Sequence, residues 1–174
     1  MRLAYRVRQF GQYLKARLTP AERERVAARL GPRLAELFAR MTPAEQAHCY
    51  RVAQSLVARG QTDDDLLIAA LLHDVGKAHA PLQLWERTVV VLGRKLAPGL
   101  AERLGRADEA TPGLGRAFVT AQQHAAWGAE LAERAGAPSR AAALIRRHQN
   151  APPTPPRTAE DRLLAALREA DEKN

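Results

Sequence analysis

"LLIAALLHDVGKAHA", residues 66–80, is the stretch on which the reading of this chain turns. Seven apolar residues in a row, Leu66 to Leu72, belong to an element buried on most sides. They run directly into His73 and Asp74, followed by Gly76 and Lys77. An imidazole and a carboxylate in the driest part of a core cost several kcal/mol unless each finds a partner. The rest of the sequence has to supply those partners.

At 174 residues and 19.1 kDa the chain is long enough for one domain with a real core. Apolar residues make up 46% and charged residues 26%, the balance of a soluble globular protein. Aromatics are only 5%, while Ala, Leu and Arg dominate, which favours helix over sheet. The net charge of +8 suits an anionic partner such as a phosphate ester, a nucleic acid or a lipid surface. Arg and Glu are interspersed rather than blocked, however, as on an ordinary solvated surface. Cys49 is alone, which excludes a disulfide framework and makes a reducing cytoplasm the expected location. The N-terminal "MRLAYRVRQFGQYLKARL" carries charge throughout, unlike a secretory signal. No run approaches the roughly 18 apolar residues that a membrane span needs.

Helix punctuation is frequent. Thr19-Pro20 with Glu22, and Thr42-Pro43 with Glu45, each combine a threonine cap, a proline start and a capping-box glutamate. Thr62 is positioned to cap the next helix, with Asp63 to Asp65 in its first turn, where the helix dipole favours negative charge. Those three carboxylates therefore read as capping groups rather than as a metal site. Helices are expected near 3–17, 20–30, 32–40, 43–59, 63–75, 82–96, 98–104, 115–135, 138–149 and 158–172. "TVVVL" (88–92) is β-branched enough for a strand, but nothing nearby could pair with it, so it is assigned to helix. The fold class is all-α: a helical bundle over 42–174 preceded by a helical N-terminal extension over 1–41.

Four helices other than that of residues 66–72 carry a polar group on the inward face. Over 43–59 the stripe is Ala44, His48, Val52, Ser55 and Leu56; over 115–135 it is Ala117, Ala121, His124, Gly128 and Leu131. His148 follows Leu144 and Ile145 by one turn, and Asp171 follows Leu164 and Leu167 at the same spacing. A single His on an apolar face is ordinarily a hydrogen-bonded core residue. Six such groups cannot all satisfy one another without a cation, and facing helices of a bundle are where metal sites are built. His48, the His73-Asp74 pair and Asp171 suffice for one ion. His124 and His148 are then surplus, serving as supporting groups or, with Asp74 as a bridge, as ligands of a second ion.

"HCYRVAQSLVARGQTDDDLLIAALLHDVGK", "QQHAAWGAELAERAG", "AALIRRHQN" and "LREADE" together resemble the HD-domain superfamily of metal-dependent phosphohydrolases. The order is the family's H…HD…H…H…D in its HDxGK form, and the resemblance covers roughly residues 42–174. It implies His48, His73, Asp74 and Asp171 on one divalent transition-metal ion and Asp74, His124 and His148 on a second. Fe or Mn is favoured for both, and Ni, Co or Zn is compatible with the same ligands. It also implies that Lys77 contacts the substrate phosphate, where an ammonium neutralises developing phosphoryl charge. The superfamily's cyclic-di-GMP phosphodiesterases carry a His-His pair and a downstream Gly-Tyr-Pro. "RRHQNAPP" has one His and no such tripeptide, which separates this chain from that specificity. Asp171 lies three residues before Asn174, in a helix end expected to fray.

The expected function is hydrolysis of a phosphate mono- or diester of a small molecule or nucleotide, with a metal-bridging hydroxide as nucleophile. Asp74 and Lys77 are the catalytic candidates. Arg51 and Arg147, near His48 and His148 along their helices, are candidate substrate contacts. The alternatives are a non-catalytic signalling or nucleic-acid-binding module on the same scaffold, a mixed-valence di-iron oxygenase, and an interfacial membrane role for "LQLWERTVVVLGRKL" (82–96). Degenerate scaffolds usually lose ligands, and this sequence retains all six.

Overall fold

Threonine and proline start the first two helices of the computed structural model, which describes residues 17–108 and 110–174. Helix α1 (Pro20–Ala39) is capped by Thr19 and α2 (Pro43–Ala58) by Thr42, each through a complete capping box with Glu22 or Glu45. There follow α3 (Asp64–Leu72), a 3₁₀ turn (Val75–Ala78), α4 (Leu84–Leu96) and α5 (Pro98–Gly105). The long α6 (Leu114–Arg134), α7 (Ser139–Arg147) and α8 (Ala159–Lys173) complete the chain. Every regular element among the described residues is helical, residues 88–92 included. The helix expected at 3–17 lies, apart from Arg17, outside the described residues.

Three local expectations are corrected or sharpened. The cap of α3 is Asp63 rather than Thr62, because the Asp63 carboxylate accepts from the Leu66 amide at 3.0 Å. The helix expected to run to residue 75 stops at Leu72, and the chain tightens into the 3₁₀ turn. The break expected between 30 and 32 is present inside α1: Gly31 adopts φ 69°, which a glycine reaches without steric cost, and Pro32 follows.

Helix α3 is the centre of the bundle. Leu66 to Leu72 are all buried, and α1, α2, α7 and α8 pack around them. Burying each Leu or Ile side chain contributes about 1.5–3 kcal/mol, so this short helix is held by its surroundings rather than by its length. The apolar face of α1, from Val26 to Phe38, joins the same core. Arg140, at the start of α7, bonds Asp63 at 2.8 Å and Asp65 at 2.6 Å, joining the N-terminal ends of α3 and α7. Helices α4 and α5 form a separate layer on the first half of α6, with their own small core of Val90, Ala101, Ala117 and Phe118. On α4, Trp85, Val91, Leu92 and Leu96 are exposed.

The 3₁₀ turn sits directly against α6. A Cβ on Gly76 would lie 1.9 Å from the His124 carbonyl oxygen and 2.7 Å from the Gly128 amide nitrogen. The stripe of small residues on α6 therefore admits backbone-to-backbone approach, and that approach sets how close His124 comes to Asp74. Gly76→Ala is expected to cost about 3 kcal/mol or more, since backbone must move to admit the methyl group. Gly31→Ala, with open space around it, is expected to cost about 1–3 kcal/mol from its backbone angles alone, φ 69° and ψ 172°. Urea unfolding of both variants checks this. Equal losses would show that the close approach at Gly76 does not set the position of α6.

Candidate metal centre

Six elements deliver one side chain each to one place. His48 comes from the middle of α2 and His124 from the middle of α6; His73 and His148 are the C-caps of α3 and α7. Asp74 heads the 3₁₀ turn, and Asp171 lies in the last turn of α8. The two caps use one device. A helix end leaves carbonyls without intrahelical partners; His73 Nδ1 donates to the Ala70 carbonyl at 2.9 Å and His148 Nδ1 to that of Ile145 at 2.7 Å. His124 Nδ1 donates to the Thr120 carbonyl at 3.1 Å. A carbonyl only accepts, so each Nδ1 carries a proton, and Nε2 is the atom that offers a lone pair when the ring is neutral. The same outer bonds fix ring orientation in metal-binding histidines.

The rings follow one another, edge to face from His48 to His73 at 5.4 Å and from His73 to His148 at 5.2 Å, and tilted from His148 to His124 at 5.3 Å. Asp74 Oδ1 lies 3.5 Å from His124 Nε2 and 3.7 Å from His73 Nε2, while Asp74 Oδ2 accepts from Lys77 Nζ at 2.6 Å. Asp171 Oδ1 accepts from His48 Nε2 at 2.9 Å and stands 3.5 Å from His73 Nε2. Two trios of donor atoms result, His48–His73–Asp74 and Asp74–His124–His148, each within 4.8 Å of one another. His73 Nε2 is buried and makes no hydrogen bond. A buried ring nitrogen facing two carboxylate oxygens too distant for hydrogen bonds is the environment that a cation satisfies.

The charges fit that geometry. Burial works to raise the Asp74 carboxyl, but Lys77, His73 and His124 overcome it and hold the group well below the usual carboxylate range. Burial likewise opposes ionisation of Asp171, and its contacts with His48 and His73 hold it well below that range. Burial, followed by the neighbouring His73 and His124, pushes His148 down to about 3, so it is neutral and able to offer a lone pair. His73 behaves in the opposite way. Burial pushes it down, yet the Asp74 and Asp171 carboxylates hold it well above the usual histidine range. Two carboxylates thus keep a proton where a metal cation would otherwise balance them. Cys49 Sγ lies 3.7 Å from His73 Nδ1, but burial pushes the thiol up, so it is no thiolate nucleophile at neutral pH.

These groups open into a cleft of about 730 Å³. Lys77 lies on its wall, as do Arg94, Arg146 and Arg168. The end of α8 is held rather than frayed: Asp171 bonds His48, and Asn174 Nδ2 caps the Ala170 carbonyl at 2.8 Å. Two of the expected residues are not brought to the cleft. Arg147 turns away to bond Asp161 at 3.1 Å and Glu160, tying α7 to the start of α8. Arg51 is half-buried on α2 and is not part of the cleft wall. His79 stacks against Trp127 at 5.0 Å. Sequence reasoning missed Arg94, because no pattern in the chain said that α4 would lie beside α6. It also missed Gln149, whose Nε2 is 3.4 Å from His124 Nε2 and whose one signal was adjacency to His148.

Comparison with known proteins agrees with this geometry at the level of family. The family model described as the HD domain matches residues 46–172, which contain all six of these side chains and Lys77. No curated protein and no solved structure matches the chain. The members of that family are in general metal-dependent hydrolases, and the histidine and aspartate groups described above could hold metal. The match covers well over half of the sequence, and the chain belongs to the HD-domain family.

Proposed function

We propose that this chain hydrolyses a phosphate mono- or diester, with a nucleotide as the substrate class. In this reading His48, His73, Asp74 and Asp171 hold one divalent transition-metal ion and Asp74, His124 and His148 hold a second. The observation that carries it is the position of Asp74: one oxygen faces both trios of donors while the other is bonded to the lysine on the cleft wall. Four imidazoles and two carboxylates suit Fe or Mn, and also Ni, Co or Zn. Two such ions, when bound, supply Lewis acidity and a water acidified to act near neutral pH.

The chain's own residues do the rest. The Nδ1 bonds to Ala70, Thr120 and Ile145 hold three rings in one orientation, so the donor set needs little reorganisation. Lys77 places an ammonium between Asp74 and the cleft, where it meets phosphoryl charge as it develops. Arg94 and Arg146 add positive potential along the wall and favour an anionic substrate over a neutral one.

Three outcomes are expected. Elemental analysis of protein purified without chelators approaches about two metal equivalents per chain and falls toward one in His124→Ala or His148→Ala. Lys77→Ala keeps its metal and fold but loses about a hundredfold in turnover, the loss of about 3 kcal/mol of transition-state stabilisation. Asp74→Ala loses metal and activity together. Failure of the metal-loaded wild type to turn over any mononucleotide, linear or cyclic dinucleotide or generic phosphodiester would overturn the assignment.

Metal loading is also expected to depend on pH. His73 must be neutral to bind metal, and its raised folded-state value means that it is protonated below that value. Binding therefore releases protons and weakens as pH falls through the raised range. Asp74 and Asp171 stay ionised throughout that window, because both are held low. Titration calorimetry in two buffers of different ionisation enthalpy reads the released protons directly, and identical apparent enthalpies would contradict this.

A further inference from the structure

A second cavity of about 230 Å³ adjoins the cleft on the side away from Asp171. Lys77, Arg94, His124 and Gln149 line both cavities. A group esterified to a phosphoryl beside Lys77 and His124 therefore has this chamber directly next to it. Its roof is α4 and its floor is α6. The chamber is an arranged feature of the fold, because α4 is tied in place from several sides. Arg94 Nη2 donates to the Ala121 carbonyl at 2.9 Å, Arg116 pairs with Glu86 at 2.7 Å, and Arg87 reaches across to Glu45 at 2.6 Å.

The walls are mixed in a particular way. Leu82, Val90, Val91 and Ala121 make the apolar surfaces. Among the polar residues, Thr120 is 1% exposed, and its hydroxyl is buried without a hydrogen-bond partner. Native proteins keep few such groups, and each calls for an explanation. A bare phosphate or sugar phosphate would leave the valine and leucine walls against water. An acyl chain would press on Thr120, Gln149 and the cations Lys77, Arg87 and Arg94, which hydrocarbon cannot satisfy. A flat heteroaromatic group, apolar on its faces and hydrogen-bonding at its edge, matches both kinds of wall.

We propose that the chamber between α4 and α6 is the subsite for the base of a nucleotide substrate, with Ala121 and Val91 setting its width and Thr120 contacting the base edge. This rests on the phosphohydrolase reading of the adjoining cleft. It makes the chain selective for what is esterified to the phosphoryl group, a property the metal ligands alone do not confer.

The test separates the two readings by using binding as well as turnover. Adenosine, guanosine, cytidine and uridine, none of which carries a phosphate, are titrated into metal-loaded wild type, Ala121→Leu and Thr120→Val. At least one nucleoside binds wild type, and its affinity falls about tenfold in Ala121→Leu, where a larger side chain narrows the chamber. Thr120→Val, which keeps the shape and removes the hydroxyl, changes the ranking among bases. In turnover, wild type prefers the nucleotide to ribose 5-phosphate in kcat/KM, and Ala121→Leu collapses that ratio. If Ala121→Leu does not fold, Val91→Trp, at a position 66% exposed, narrows the chamber from the other side. No nucleoside binding by wild type, or equal binding by wild type and the narrowed variants, overturns the proposal even if phosphoesters are hydrolysed. Nucleoside binding that responds to these variants in a protein without turnover supports the subsite and removes the hydrolase reading instead.

Discussion

A carboxylate at 3% exposure must be balanced, and the arrangement around Asp74 is how this bundle does it. Removing one partner from a buried ion pair costs about 3–5 kcal/mol, because the other charge stays behind in a dry medium. Each residue of His73-Asp74-Val75-Gly76-Lys77 has a part in that balance. His73 closes α3 and turns its ring toward the cluster. Asp74 takes a backbone angle that ends the α-helix, and Val75 is wholly buried and anchors the turn. Gly76 lets α6 approach until its backbone nearly touches, which brings His124 to the carboxylate. Lys77, three residues on, returns to Asp74 Oδ2. Without the close approach at Gly76 the second trio of donors would not form.

The net positive charge has a structural reading that limits its functional one. Many arginines are engaged in joining helices: Arg140 holds the starts of α3 and α7, Arg147 ties α7 to α8, and Arg87 and Arg116 fasten α4 to its neighbours. Pairs exposed at the surface contribute little each, but those reaching the buried Glu45 and Glu86 leave a buried charge if broken. The cleft lining includes Lys77, Arg94, Arg146 and Arg168, of which Lys77 is paired with Asp74, Arg146 with Glu133 and Arg168 with Glu172.

Helix α4 shows how one element serves two ends. Its inward face forms a small core with α5 and α6 and roofs the side chamber. Trp85, Leu92 and Leu96 are exposed along the helix, while Val91, also exposed, is among the residues lining the chamber. No helix among the described residues is long and apolar enough to cross a membrane.

The all-α class, most helix starts, the break at Gly31 and the six polar groups on inward faces are legible in the chain before any tertiary contact is known. Those features are local: caps, prolines, glycine and inward-face spacing act within a few residues of themselves. His48 and Asp171 are 123 residues apart in the chain, yet their faces were legible because apolar neighbours mark the inward side of each helix. Only the tertiary structure decided that α3 ends at Leu72, that Asp63 rather than Thr62 is its cap, and that Arg147 points to Glu160 and Asp161 rather than into the cleft. It alone revealed Arg94, Gln149 and the chamber beside His124. Those outcomes depend on which helix lies against which. Proximity along a helix does not settle where a long, flexible arginine finds its carboxylate, and contacts between α4 and α6 are set by packing rather than by any periodicity within either helix.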